Sequence, residues 1–145
     1  MNTFNIVLLI LHFLGLAMGL SVSFSGMVMG GLIDKAAPAE RAVLGRFPPL
    51  MARVGDIGLT LLWASGLGLL FFKWGGIANL GNMPWQFHAK LTLVVVLTAL
   101  VGYIHTLLRK VAKGDMAALA RMRIVGGIAF LTAISIVTFA VLAFG

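Results

Sequence analysis

Long stretches without formal charge restrict this chain more than any motif does. Residues 1–33, 57–72, 91–108 and 124–145 contain no Asp, Glu, Lys or Arg. The 18 residues from Leu91 to Leu108 would rise about 27 Å as a helix at ~1.5 Å per residue. That nearly crosses a bilayer core of about 30 Å. Hydrophobic residues make up 61% and charged residues 10% of the 145, whereas soluble domains carry roughly 25% charge. The expectation is all-α: one integral-membrane domain, residues 1–145, forming a four-transmembrane-helix bundle with spans near residues 4–33, 50–72, 87–109 and 123–144. The segment MNTFN lacks the basic start of a secretory signal, so the first run is expected to remain as a span.

The charged residues fall between these runs. Nine of the eleven Lys and Arg belong to the connections Asp34–Asp56 and Arg109–Arg123, while only Lys73 and Lys90 flank the middle connection. The positive-inside rule then predicts an N-out/C-out protein with connections 1–2 and 3–4 in the cytoplasm. Pro48–Pro49 is expected to interrupt any helix, after a short interfacial helix near Ala39–Gly45. If Leu50–Asp56 lies at membrane depth, Arg53 and Asp56 can pair at i, i+3. Trp74 and Trp85 are placed as interfacial anchors around a glycine-rich loop. The net charge of +7 serves orientation, and no basic surface apart from the spans is available for nucleic acid.

Ionisable groups inside spans are expensive and point to function. His12 lies in the first run; His88 and Lys90 begin the third, and His105 stands near its far end. His12, Gly15, Gly19, Ser23, Gly26 and Gly30 recur at helical spacing, as do His88, Thr92, Val95, Ala99, Gly102 and Thr106. Such small faces allow a neighbouring backbone or a flat ligand to approach closely. Two parallel spans headed by His12 and His88 can offer two imidazoles to the iron of one macrocycle, with Lys90 beside an anionic carboxylate. Arg53 or Arg109 could meet a second carboxylate. His105 is about 25 Å along the helix from His88, too far to share that iron, and would serve a second site or cap the interface.

Blander readings stand beside these. A histidine near a span end often bonds only water or lipid headgroups, a terminal lysine commonly snorkels, and small-residue stripes are ordinary in membrane-helix packing. Thioether and imidazole groups also suit Cu(I), yet Met27 and Met29 are two residues apart and should point to separate faces, as apolar filler with Met18 and Met51. The chain has no cysteine, which removes thiolate metal sites and disulfides. No acid lies within a span, Asp56 being nearest, and Ser21, Ser23 and Ser25 have no triad partner.

The run Trp85-Gln86-Phe87-His88-Ala89-Lys90-Leu91, followed by Gly102-Tyr103 and Leu107-Leu108-Arg109-Lys110, resembles the third span of the HemJ family. Leu11-His12 and Gly66–Leu70 fit the same layout, which is shared with the membrane domain of the copper-resistance protein CopD. Trp85 stands three residues before the histidine where the family has two, and the family's Pro-Arg pair is missing from the first span. The resemblance implies a multi-pass protein of the bacterial cytoplasmic (inner) membrane, a b-type haem, His12 and His88 as metal ligands, and Lys90 as the adjacent lysine. It also implies an oxidoreductase role in protoporphyrinogen oxidation or electron transfer. Partners expected on that reading are the lipid bilayer, haem or porphyrin, and a quinone or respiratory-chain component. The second expectation is a non-catalytic accessory subunit of a larger membrane complex, or a homo-oligomer; the third is copper handling.

Overall fold

The computed structural model describes residues 2–144. Its helices are α1 (Thr3–Lys35), α2 (Pro38–Leu44), α3 (Phe47–Lys73), α4 (Trp85–Ala112) and α5 (Met116–Phe144), with one 3₁₀ stretch at Ile77–Asn82. No strand occurs among the described residues. Four helices are long and apolar enough to cross a membrane: α1, α4, α5, and the segment containing α2 and α3. The expected all-α fold is therefore present.

Local chemistry sets the helix ends. Asn2 opens α1 by accepting from the Asn5 backbone N–H at 2.9 Å, an N-cap that satisfies one otherwise unpaired donor. Glu40 closes α2 back onto the Ala37 N–H at 2.9 Å. Pro48 and Pro49 fall in the first turn of α3, where their missing N–H groups cost no helical hydrogen bond. They start the third helix as well as closing off the second. Gly75 and Gly76, at φ +80 and +76, turn the chain out of α3 through a region closed to most side chains. The third connection is shorter than expected. Only Lys113–Asp115 lies outside helix, with Gly114 at φ +91 and Asp115 accepting from Ala118 N–H at 3.2 Å. Arg109, Lys110, Arg121 and Arg123 consequently ride on helix ends.

The bundle is antiparallel. α1 packs along α3, α4 packs along α5, and α1 against α5 joins the two pairs, while α3 and α4 touch more sparingly. At the α1–α3 crossing the backbones meet. A Cβ on Gly15 would lie 2.6 Å from the Gly58 carbonyl oxygen, and one on Gly58 would lie 2.9 Å from Met18 Cβ. Leu62, Val94, Leu97, Ala129 and Ile136 form the central core, and Leu107, Ala118 and Val125 form a second cluster between α4 and α5. Phe13, Phe72, Leu131 and Val141 point outward, each more than half exposed. An apolar exterior of this kind suits lipid, not water.

Candidate functional site

The two ends of the bundle are called the termini end, where α1 begins and α3 meets α4, and the basic end, which carries the other two connections. Near the termini end, three helices place polar side chains together. His12 on α1 has Nδ1 3.0 Å from Ser65 Oγ on α3 and Nε2 3.2 Å from Lys90 Nζ on α4. Ser65 donates its hydroxyl proton to the Leu61 carbonyl one turn back, so its oxygen is the acceptor toward His12. The lysine ammonium can only donate. The imidazole is therefore neutral with its proton on Nδ1, and its Nε2 lone pair faces Lys90. Gly66 makes room for the ring, since a Cβ there would meet His12 Cε1 at 3.2 Å. Ser65 is buried at 2% exposure. No carboxylate among the described residues is paired with Lys90.

His88 is placed differently. It is exposed, with its ring edge-on to Phe87 at 6.0 Å between centroids. His88 and Lys90 are two residues apart, hence about 200° apart around an α-helix. With Lys90 turned toward His12, His88 faces away from it. The structure thus brings His12 and Lys90 together and leaves His88 outside that cluster.

Toward the basic end, His105 Nε2 meets Asp56 Oδ2 at 3.0 Å, and its Nδ1 lies 2.9 Å from the Val101 carbonyl. Asp56 pairs with this histidine on the neighbouring helix, not with Arg53 on its own. Both neighbours of the ring, the Asp56 carboxylate and the Val101 carbonyl, are acceptors. Arg123 on α5 and Asp34 on α1 make the other ion pair among the described residues. Trp63 Nε1 donates to Thr98 Oγ1 at 3.0 Å midway along α3 and α4.

Between the four long helices, in the basic half, lies a partly open apolar cavity of about 160 Å³. Gly19, Gly26, Gly55, Leu97, Ile104 and His105 are on its wall. Met27 and Met29, expected on separate faces, both border it, with Met51 and Met122. Neither His12 nor His88 does. A cavity of about 150 Å³ takes a benzene, so the enclosed part of this one matches a single ring. No three His, Asp or Glu side chains among the described residues assemble into a metal-holding group.

Fold and site together define a multi-pass membrane-type protein with polar side chains at helix–helix contacts between apolar faces. No family model, curated protein or solved structure matches the chain.

Proposed function

We propose that this chain is an integral protein of the bacterial cytoplasmic membrane, both termini outside, that binds a b-type haem through His12 and works in electron transfer. Protoporphyrinogen oxidation is the reaction its HemJ resemblance suggests. One observation supports the reading most: His12 Nδ1 lies against Ser65 Oγ, which turns Nε2 across the bundle toward Lys90. A fixed proton on one ring nitrogen is how proteins orient the other for a metal. Only the lysine ammonium stands in front of it, and Lys90 has no carboxylate partner among the described residues. A haem propionate would provide one as Lys90 moves aside. The haem, when bound, supplies one-electron chemistry; the chain supplies the ligand, the burial and the compensating cation that set its potential.

The His12 half of the expected ligand pair fits this reading, whereas His88 would need α4 to rotate by about half a turn. The purified protein from haem-replete cells should show a reversible reduced-minus-oxidised α-band of b-type character. That band should vanish in His12→Ala and persist in His88→Ala. A colourless wild-type preparation, or a band unaffected by His12→Ala, overturns the proposal. A band lost in His88→Ala as well would restore the two-histidine ligation expected from sequence.

A further inference from the structure

We infer that the cavity in the basic half binds a quinone headgroup, a neutral six-membered ring bearing carbonyl acceptors, with His105 as its hydrogen-bonding residue. This site is separate from the His12 centre, since neither His12 nor Lys90 borders it. Its volume of about 160 Å³ is that of one small ring. Glycines on α1, α3 and α5 create it: a Cβ added at Gly19, Gly26 or Gly126 would meet nothing within 4 Å. Met27, Met29, Met51 and Met122 border it, and their flexible thioether side chains adapt to the shape of a bound apolar ring.

Polar chemistry on the wall narrows the ligand class. Ser23 donates to the Gly19 carbonyl at 3.0 Å, and Arg123 is engaged with Asp34. His105 has Asp56 behind it at 3.0 Å and the Val101 carbonyl beside Nδ1 at 2.9 Å. That carbonyl already accepts the helical N–H of residue 105, so its second bond is the one a ligand carbonyl replaces. The carboxylate of Asp56 disfavours an anionic ligand and the guanidinium of Arg123 disfavours a cation. An acyl chain has no acceptor to offer a polar group on the wall. A neutral ring with carbonyl oxygens satisfies volume, charge and hydrogen bonding together. A shallower groove shares Met27 and Arg123 with the cavity and continues past Ala120, Ile124 and Gly127. It gives an apolar tail a path between α1 and α5.

The test uses the full-length protein in lipid nanodiscs, titrated with decyl-benzoquinone and read by quenching of tryptophan emission. A saturable, one-to-one component is expected. Decylbenzene, which has the ring and tail without carbonyls, should compete at least ten-fold more weakly. His105→Phe should weaken quinone binding about ten-fold, as expected for losing one hydrogen bond. Gly26→Leu, which fills the cavity from an open position, should abolish it. His12→Ala should leave it intact, so failure here and failure of the haem reading are separable. The inference is overturned if the wild-type shows only non-saturable partitioning, if decylbenzene competes equally, or if His105→Phe and Gly26→Leu bind like wild-type.

Discussion

Ser65 governs the state of the His12 ring. Its oxygen accepts from Nδ1–H because its own proton is committed to Leu61. Ser65→Ala removes that acceptor and leaves the imidazole free to carry its proton on Nε2, where N–H would confront the Lys90 ammonium. The ¹⁵N shifts of His12 in labelled protein should then change from a single Nδ1–H tautomer to a mixture, with a stability loss of about 1–3 kcal/mol for the orphaned donor. An unchanged tautomer would show that Lys90 alone fixes it. Gly66→Ala acts on the same ring, where a Cβ would lie 3.2 Å from Cε1 and 3.5 Å from Nδ1; the same shifts should move although Ser65 is intact. His12 and Lys90 were legible in the sequence because an ionisable group within an apolar run stands out. Ser65 was not. Most hydroxyls in these helices, such as Ser21, Thr60 and Thr132, simply bond the carbonyl four residues back, and Ser65 does that too. Its second role depends on which helix lies alongside. The orientation of His88 failed to emerge for a related reason: spacing fixes the angle between His88 and Lys90 but not which of them turns inward.

For the helices, the four apolar runs predicted the spans because each backbone must satisfy its own hydrogen bonds in lipid. Their ends were less legible, since charged residues near Arg109 and Arg121 look like loop in sequence yet extend helices beyond the hydrocarbon. The stripe of small residues on α1 was visible, but its uses differ along its length. Gly15 lies against the Gly58 backbone, Gly19 and Gly26 face open space, and a Cβ on Gly30 would lie 3.2 Å from Arg123 Cγ. Gly15→Ala and Gly58→Ala should therefore each destabilise the protein by about 1–3 kcal/mol through forced separation of α1 and α3. Gly19→Ala should stay within about 0.5 kcal/mol. Unfolding in mixed detergent micelles measures all three; equal effects would contradict the crossing geometry. Trp63→Phe removes a bond between α3 and α4, where packing is sparse, and should cost about 0.5–1.5 kcal/mol.

The whole molecule has a polarity that its charges should impose. With nine of eleven basic residues toward one end, single cysteines at Arg41 or Lys113 should react with a membrane-impermeant maleimide only after the inner face is opened, and one at Asn79 should react in intact cells. The reverse pattern would invert the orientation. Since the chain has no cysteine of its own, every label reports the introduced site. The pairing of helices also sets an order of events. α1 and α3 are neighbours and both are made first, so they can associate while α4 and α5 are still on the ribosome. His12, Ser65 and Asp56 belong to this early half, whereas Lys90 and His105 belong to the late one. A nascent chain halted after residue 74 would display the imidazole and the carboxylate with their cross-bundle partners still unmade. Both polar centres thus come into being in a single closing act, when the second hairpin docks, and a premature cofactor or ligand would find neither one finished.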